Sequence, residues 1–362
     1  QVCGVAMKRV QIQPSWSFAD QDGARIDAKL FTLLRAVHQH GRLNSAAEAL
    51  GCSYRHTWNL LNRWSAFFGA DIVAMQRGKG AQLTSLGEKL LWAEQRVAAR
   101  LSPQLASLAS EINLALHQAL ADASPILRMC ASHGYAVALL PDFAEGFQLD
   151  LQYESPLDAL ASLNRGACDI AGFHIPRHPY IPELVALYSR LLNTSEHVAI
   201  RFVSRTQGLA VPTANPLGIT GFSDLARPGL RFINRQLNSG SRFLVDALLQ
   251  EARLTANEIT GYDSQEFTHG AIAAYVAAGM ADTGFCVEAA ARQFGLDFIP
   301  LTTEDYVLAC RRDALDSLAI GSLLEQMRSQ HFAVAMRDLP GYAPIDCGDL
   351  IDIATLLQMG TE

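Results

Sequence analysis

The sequence predicts a multidomain protein with a small, mainly helical N-terminal domain that ends in a hairpin, followed by a larger α/β domain of two lobes. Its 362 residues suffice for two or three packed units. Between residues 27 and 69 apolar side chains recur at helical spacing, whereas strand-like and helix-like segments alternate from residue 125 onward. Charge divides in the same way. Residues 1–120 carry 13 basic and 8 acidic side chains, whereas residues 121–362 carry 16 basic and 28 acidic side chains.

The net charge of −7 therefore combines a basic part of +5 with an acidic part of −12. The acidic average alone argues weakly against a nucleic-acid partner. A basic part joined to an acidic part instead predicts two partners of different kinds.

Other features limit the class of protein. Every apolar run is interrupted by charge or glycine well before the roughly 18 residues that span a bilayer, and the N-terminal residues lack an apolar secretion signal. The seven cysteines are widely spaced and include no CxxC pair, which predicts reduced thiols rather than disulfides or a zinc site. We expect a cytoplasmic protein without membrane contact.

Three short helices are predicted within the basic part. The first begins at Asp27 and ends at Gly41, the second covers the small-residue segment SAAEALG, and the third follows a cap at Ser53 and covers YRHTWNLLNRWSAFFG. The apolar positions of the third helix that are available for a core are Trp58, Leu61 and Phe68. Its other face is polar, which is typical of the recognition helix of a helix-turn-helix.

The next segment predicts a hairpin, because two strand-like pieces flank Arg77-Gly78-Lys79-Gly80 before Thr84 caps another helix. A basic hairpin tip of this kind is a wing suited to DNA phosphates. The segment AAEALG alone fits any three-helix bundle, but the order of helix, small-residue helix, polar helix and basic hairpin favours DNA binding. Residues 1–84 are therefore predicted to form a winged helix-turn-helix domain.

The stretch from GRLNSAAEALG to SLGEKLL resembles the N-terminal domain of ModE-type molybdate-responsive regulators and, more distantly, the winged domains of LysR-type regulators. Its most specific elements are SYRHTW at 53–58 and RGKGAQLTSLG at 77–87. The resemblance implies that the third helix faces a double-stranded DNA operator and that the wing contacts the backbone or minor groove. With the outward His56 and Arg63 added, the candidate DNA-binding residues are Ser53, Tyr54, Arg55, His56, Thr57, Asn59, Arg63, Arg77 and Lys79.

Residues 85–120 are predicted to be connecting helices with a long apolar stripe that contains Leu86, Leu90, Val97, Leu101, Leu105, Leu108, Ile112 and Leu116. Ser102-Pro103 is typical of a new helix start, so we expect two consecutive helices or one sharp kink. The stripe either packs against the protein's own body or joins two chains. We favour a homodimer or a dimer of dimers, because two-fold proteins bind paired half-sites.

Residues 121–362 are predicted to form the two-lobe domain. A βαβαβ pattern, expected to give a parallel sheet, is followed by two candidate crossover strands, HVAIRFVSR and GLAV, and then by a second α/β set. Two similar lobes, between which the chain passes more than once, are typical of a hinged binding protein.

Small hydroxyl residues lie where four of the predicted helices begin: Ser132-His133, Ser155, Asn238 to Ser241, and Thr268-His269. Free N–H groups at such positions attract anions. Each residue alone is explained as a cap of its own helix, but four at corresponding ends point to one crevice. Arg235 and Arg242 add positive charge, although Arg242 also fits the outside of its helix. The candidate ligand-binding residues are Ser132, His133, Ser155, Arg235, Ser239, Gly240, Ser241, Thr268 and His269.

The stretches LDALASLNRGACDIAGFHI, RFINRQLNSGSRFLVD and EFTHGAIAAYVAAGMADTGFCVEAAARQFGLDFIPL resemble the periplasmic-binding-protein-like domain of some bacterial regulators and of molybdate- and tungstate-binding transport proteins. The resemblance implies an oxyanion effector, molybdate or tungstate, with a small organic anion such as formate as the alternative. One departure is the turn ASHGYAVALL, where related domains commonly have an acidic residue after the histidine. The small C-terminal molybdate-binding modules of ModE are also lacking, so sensing is assigned to the two-lobe domain.

No catalytic residues are identified, because GxxxxGK[ST], HExxH, GxSxG and a dinucleotide fingerprint following a strand are all missing. The spacing of His133, His174, His178 and His269 matches no standard metal site, so no metal and no covalent cofactor are expected. The sequence thus predicts a ligand-responsive transcriptional regulator that is not an enzyme, in which a small anion closes the lobes and repositions paired DNA-binding domains. The alternative interpretation is a cytoplasmic ligand-binding module that does not bind DNA.

Overall fold

The computed structural model describes residues 9–76, 80–120, 124–177 and 181–359. The chain forms two compact units. The N-terminal unit is Gln13–Leu101, and the α/β unit comprises the segment up to Ile12 together with Ser102–Glu362. No helix in the described ranges is long and apolar enough to cross a membrane.

The N-terminal unit contains a short strand pair, three helices and a hairpin, followed by the start of a long helix. In chain order the elements are β1 (Phe18–Ala19), β2 (Arg25–Ile26), α1 (Lys29–His40), α2 (Leu43–Ala49), α3 (Tyr54–Phe68), β3 (Val73–Gln76), β4 (Gly80–Leu83) and α4 (Ser85–Ala119). Strands β3 and β4 pair antiparallel, and this order of three helices and a hairpin is the one that the sequence predicts.

The core of the N-terminal unit is built from α1 and α3. Leu30, Leu33 and Leu34 of α1 are buried together with Leu61 and Trp64 of α3. The prediction that Trp58 enters the core is wrong, since that side chain is 36% exposed whereas Trp64 is fully buried. Residues 58 and 64 each lie three positions from Leu61 but on opposite sides of it, about 120° apart around the helix, so only one of them faces the core with Leu61 and Thr57.

A close approach between two glycines fixes the hairpin against the end of α1. Gly41 ends α1 in the left-handed conformation, at φ 63°, and its carbonyl accepts a hydrogen bond of 2.8 Å from the N–H of Ala81. Gly80 has φ 88°, and a Cβ atom at that position would lie 2.2 Å from the Gly41 carbonyl oxygen. Only glycine therefore fits where β4 meets α1.

Helix α4 is continuous over 35 residues with Pro103 inside it, so the first predicted alternative, two consecutive helices, is wrong, and the second, a kink at Ser102-Pro103, stays a prediction. Its second half lies along the edge strand of the sheet in the α/β unit, Gln148–Tyr153. There the hydroxyl oxygens of Ser107 and Ser110 accept hydrogen bonds from the N–H groups of Tyr153 and Leu151, at 2.9 and 2.8 Å. These bonds occupy edge donors that would otherwise be open to another strand.

The α/β unit is built around one sheet that has ten strands within the described ranges, and its α/β fold class is confirmed. The strands are β5 (Ile126–Ala131), β6 (Gln148–Tyr153), β7 (Ile170–Pro176), β8 (His197–Val211), β9 (Phe232–Arg235), β10 (Gln265–Glu266), β11 (Thr283–Val287), β12 (Asp297–Arg311), β13 (Tyr342–Pro344) and β14 (Leu350–Asp352). The helices are α5 (Tyr135–Leu139), α6 (Pro156–Asn164), α7 (Pro182–Leu191), α8 (Gly240–Glu251), α9 (His269–Ala277), α10 (Glu288–Gln293), α11 (Leu318–Met327), α12 (Gln330–Arg337) and α13 (Ile353–Met359).

Two sets of parallel strands flank a pair of long antiparallel strands. Strands β6, β5 and β7 form the first parallel set, and β10, β9 and β11 form the second. Strands β8 and β12 pair with each other and join the two sets, and we call them the crossover strands. The segments HVAIRFVSR and GLAV, which were expected as separate crossover strands, are parts of the single 15-residue β8.

The strand register brings the ends of both parallel sets to the middle of the crossover strands. At the end of β7, Pro176 lies opposite Glu304 of β12, which lies opposite Arg205 of β8. At the end of β11, Val287 lies opposite Gln207 of β8. The carboxyl ends of both sets, where such folds bind ligands, therefore meet around residues 205–207 and 302–304.

Replacement of Gly80 by alanine tests the glycine contact between β4 and α1. We expect Gly80→Ala to destabilise the N-terminal unit by more than about 2 kcal/mol, because the added Cβ collides with the Gly41 carbonyl oxygen and the backbone is left-handed. Denaturant unfolding followed by circular dichroism measures the change. The matched control is Gly23→Ala, which has φ 82° but open space around the new Cβ and should cost about 1 kcal/mol. Equal losses in both variants would contradict the steric argument.

Candidate functional site

The end of the first parallel set contributes a hydroxyl, two imidazoles and a phenol to the candidate ligand site. Ser132 directly follows β5, and its Oγ lies 3.2 Å from Nε2 of His174 and 3.2 Å from the hydroxyl of Tyr306 on β12. The Tyr306 hydroxyl donates to the carbonyl oxygen of Ser132 at 2.8 Å. His133 is half-buried, and its ring contacts that of Tyr153, with the ring centroids 5.0 Å apart. The turn after β5 is thus anchored to a crossover strand.

The crossover strands contribute a buried ion pair. Arg205 and Glu304 are each 1% exposed, and Oε1 of Glu304 accepts a hydrogen bond of 2.5 Å from Nε of Arg205 and lies 2.5 Å from its Nη2 in an ion pair. Nε2 of Gln207 donates to the same oxygen at 2.6 Å. The hydroxyl of Ser241, in the first turn of α8, donates to Oε1 of Gln207 at 3.0 Å. A chain of polar contacts therefore joins the second parallel set to both crossover strands.

The end of the second parallel set contributes a buried arginine. The guanidinium of Arg235 donates from Nε to Oε1 of Gln236 at 3.1 Å and from Nη2 to the carbonyl oxygen of Phe267 at 3.2 Å. Its Nη1 is buried and has no hydrogen-bond partner in the part of the chain that the structure describes. Both partners that it does have are neutral, so within the described residues no carboxylate is hydrogen-bonded to this buried guanidinium.

Arg242, the other arginine of this segment, supports the turn. It is 6% exposed, which excludes the position outside its helix. Its Nη1 donates to the carbonyl oxygen of Arg235 at 3.2 Å, and its guanidinium lies 4.2 Å from the ring centroid of Tyr262 and is paired with Asp246. Arg242 thus holds the backbone that carries Arg235.

Burial and the two arginines keep the neighbouring histidines neutral. Burial lowers the pKa of His133 to about 4, with a further contribution from the positive charges of Arg235 and Arg205. Burial and the same charges lower the pKa of His174 and that of His269 well below the usual range. The pKa of Arg235 falls to about 10 because of burial and the neighbouring Arg205. At neutral pH the site therefore presents neutral imidazoles around charged guanidinium groups.

Three of the four predicted cap positions do cap their helices, whereas Ser132 does not, because α5 begins after Gly134 and has no side-chain cap. Ser155, Ser239 and Thr268 accept hydrogen bonds from the backbone N–H groups of Asp158, Arg242 and Ala271, at 3.2, 3.2 and 3.0 Å. The hydroxyl of Ser155 also donates to the Asp158 side chain at 2.6 Å, so it is used within α6. Ser239 and Thr268 are buried at the starts of α8 and α9, and Gly240 leaves open space where a side chain would be.

Several residues of this cluster were not among the predicted ligand-binding residues, namely His174, Arg205, Gln207, Glu304 and Tyr306. One signal was present in the sequence, because Arg205 and Gln207 interrupt the apolar run of β8. A buried polar residue requires a partner, but the sequence does not say that the partner of Arg205 is 99 residues away. In the described ranges no three His, Cys, Asp or Glu side chains are grouped so that they could hold a metal ion.

The candidate DNA-contacting surface lies on α3. Ser53 caps this helix by accepting a hydrogen bond from the N–H of His56, at 3.2 Å. Five of the side chains that were predicted to face DNA are exposed on this helix, namely Tyr54, Arg55, His56, Asn59 and Arg63. Thr57 requires a correction, because it is fully buried and its hydroxyl donates to the Ser53 carbonyl oxygen at 3.1 Å. Arg77 and Lys79 lie outside the described residues.

A family model described as the PBP superfamily domain matches residues 137–328, just over half of the chain. The uncharacterized protein YvgK of Bacillus subtilis is 30% identical over 191 residues, which cover 53% of this chain and 61% of YvgK. The molybdenum-pterin-binding protein MopB of Rhodobacter capsulatus is 31% identical over 99 residues, which cover 26% of this chain and 37% of MopB. The chain thus spans less than two thirds of each of these relatives.

Among solved structures, a full-length OxyR variant from Pseudomonas aeruginosa aligns with 83% of this chain and 97% of its own, at 15% identity and a TM-score of 0.41.

The lowered pKa of His133 predicts how stability depends on pH. The unfolded chain takes up a proton at this residue near pH 6.5, and the folded chain does so only near pH 4, so the free energy of unfolding falls as pH drops through that window. Between pH 7 and pH 5 we expect the free energy of unfolding of His133→Asn to fall by about 1 kcal/mol less than that of the original protein. This difference is smaller than the full pKa shift implies, because the ring is partly exposed. Urea unfolding at each pH measures it.

The control for this prediction is His331→Asn, which replaces an exposed histidine of α12. This variant should keep the pH profile of the original protein. A profile for His133→Asn that coincides with that of the control would show that His133 is not held neutral by the fold.

Proposed function

The chain belongs to the PBP superfamily, and on that premise we propose that it is a cytoplasmic, ligand-responsive transcriptional regulator. Its α/β unit binds a small anion, and its N-terminal unit binds double-stranded DNA as a winged helix-turn-helix. The observation that carries the ligand half of the proposal is the buried Nη1 of Arg235, which lacks a hydrogen-bond partner in the described part of the chain.

An unpartnered guanidinium N–H is costly inside a protein, by roughly 1–3 kcal/mol or more. An anion that accepts a hydrogen bond from it removes this cost and also neutralises the charge. The neutral imidazoles of His133 and His269 supply further donors, and the Ser132 hydroxyl, which donates to Tyr306 in this structure, would turn toward the anion. The first-turn N–H groups of α8 and α9 add the positive end of a helix dipole.

Molybdate or tungstate is the proposed effector, and a small carboxylate such as formate is the second candidate. A tetrahedral oxyanion suits a site whose donors are mainly neutral hydroxyl, imidazole and backbone N–H groups around one unpaired guanidinium. The sequence resemblance to molybdate-binding proteins and the similarity to MopB support the oxyanion. A carboxylate is supported by Arg235 alone, because a guanidinium binds that group equally well.

DNA binding is supported by the polar face of α3. Tyr54, Arg55, His56, Asn59 and Arg63 are exposed on one helix of a basic unit, which fits a helix that enters the major groove. The helix α4 then continues without interruption into the α/β unit, where Ser107 and Ser110 hold it to β6. We propose that an anion changes DNA affinity by favouring one arrangement of the lobes over another.

A homodimer, or a dimer of such dimers, is the proposed assembly. The C-terminal half of α4 leaves Leu108, Ile112 and Leu116 between 44% and 49% exposed, at spacings of four residues. A stripe of large apolar side chains at this spacing is suited to burial against the same helix of a second chain. Two copies of α3 would then bind two half-sites.

The ligand half is tested by thermal unfolding with molybdate, tungstate, sulfate and formate. We expect one class of anion to raise the midpoint with concentration, since ligand that binds the folded state stabilises it by mass action. The variant Arg235→Gln should lose at least about nine tenths of the affinity for that anion. Arg253→Gln, on the exposed turn after α8, is the control and should bind as the original protein does. Failure of every anion to shift the midpoint would refute the anion site.

The DNA half is tested by selecting bound duplexes from a random pool and titrating them at several salt concentrations. Arg55→Ala should weaken binding to the selected duplex by roughly 10-fold or more, because a base or phosphate contact of the helix is lost. Arg25→Ala, an exposed change in the same unit, should change the affinity much less. If the protein binds no DNA at low salt, the alternative of a ligand-binding module without DNA is favoured.

A further inference from the structure

The crossover strands carry a second buried guanidinium that is only partly satisfied. Glu304 occupies one edge of Arg205 through Nε and Nη2. The remaining terminal nitrogen, Nη1, is buried and has no hydrogen-bond partner in the described part of the chain. Burial opposes the charge of Arg205, but Glu304 and the nearby Tyr342 hydroxyl outweigh it and raise the pKa of the guanidinium. A side chain that is 1% exposed therefore stays charged and keeps one donor available.

The free edge of Arg205 faces the turn that follows β5. A Cβ atom added at Gly134 would lie 3.3 Å from Nη1 of Arg205. Gly134 comes directly after Ser132 and His133, so Nη1 points to the part of the candidate site that the first parallel set provides. The backbone of Gly134 is extended, at φ −161° and ψ 154°, so the turn conformation does not require the absence of a side chain. A side chain at this position would instead lie directly against Nη1.

Arg205 and Arg235 act on the same group of side chains. Hydrogen bonds connect the two arginines, because Gln207 shares Oε1 of Glu304 with Arg205 and is bonded to Ser241, and the next residue, Arg242, donates to the carbonyl oxygen of Arg235. In agreement with this, both arginines add to burial in lowering the pKa values of His133, His174 and His269. One guanidinium belongs to the crossover strand β8 and the other to the end of β9. Each keeps a buried Nη1 without a partner in the described residues.

We infer that Arg205 is a second anion-binding residue and that the ligand is held between the Nη1 groups of Arg205 and Arg235. The inference rests on the proposed anion site and identifies the class of ligand more narrowly. Glu304 pairs with Arg205, whereas both arginines keep a buried Nη1 without a partner in the described residues, so the two together offer two free donors. A ligand with oxygens in several directions satisfies both donors and the Ser132 hydroxyl together, and a tetrahedral oxyanion has this shape. A planar carboxylate offers two oxygens in one plane.

The experiment compares molybdate and formate binding to the full chain by isothermal titration. Arg205→Lys keeps a positive partner for Glu304 but removes Nη1, and we expect it to weaken molybdate binding at least 10-fold and formate binding less. Gly134→Ala keeps Arg205 and its ion pair but fills the space before Nη1, and we expect a 3- to 10-fold weakening of molybdate binding. Arg231→Lys, whose exposed side chain pairs with Asp282, is the control and should leave both affinities unchanged.

The outcomes separate this inference from the proposed function. If the original protein binds no anion, the anion site itself is refuted. If the original protein binds molybdate and both Gly134→Ala and Arg205→Lys bind it equally well, only the role of Arg205 is refuted. Near-ultraviolet circular dichroism of each variant without ligand reports folding. If Arg205→Lys does not fold, Gly134→Ala decides, because its change is confined to the space in front of Nη1.

Discussion

The Arg205–Glu304 ion pair lies at the middle of the two crossover strands, and the rest of the α/β unit is arranged around it. Removing two charges from water costs several kcal/mol per ion, and the pair recovers this only with good geometry and further hydrogen bonds. Here Glu304 Oε1 accepts one hydrogen bond from Arg205 and one from Gln207, and Nη2 of Arg205 also lies against it in the ion pair. Gln207 is in turn held by Ser241 of α8. The pair thus fixes the register of β8 against β12 and ties α8 to both.

That register has a direct consequence for where a ligand can bind. The first parallel set is antiparallel to β12 and the second is antiparallel to β8, so their carboxyl ends would separate if the crossover strands slipped along each other. Pairing Glu304 with Arg205 and Val287 with Gln207 brings both ends to one place. Ser132, Arg235 and Thr268 lie at the end of a strand or just beyond one, and they need no direct contact with one another to line the proposed site, because the strands position them.

The sequence predicts the local structure of this protein better than its long-range contacts. Helix caps at Ser53, Ser155, Ser239 and Thr268 depend on residues three positions apart, and the structure has all four. The sequence predicts less well which side chains face the core. A small error in helical phase placed Trp58 inside instead of Trp64, and it assigned the buried Thr57 to the exposed face of α3. The polar contacts of β8 depend on β12, about a hundred residues later, and no local pattern encodes that pairing.

The acidity of the α/β unit bears on how an anion is selected. Residues 121–362 carry a net charge of −12, so the average field of this part repels an anion at a distance. Salt screens that repulsion over about 10 Å at 0.1 M, whereas contacts inside a buried site are screened far less. Attraction therefore has to come from the few groups that an anion touches after it has entered. In the proposed site Arg235 would act on an anion at contact, because its two hydrogen-bond partners, Gln236 and the Phe267 carbonyl, are neutral. Such a site favours a ligand whose shape satisfies the donors over one that carries charge alone.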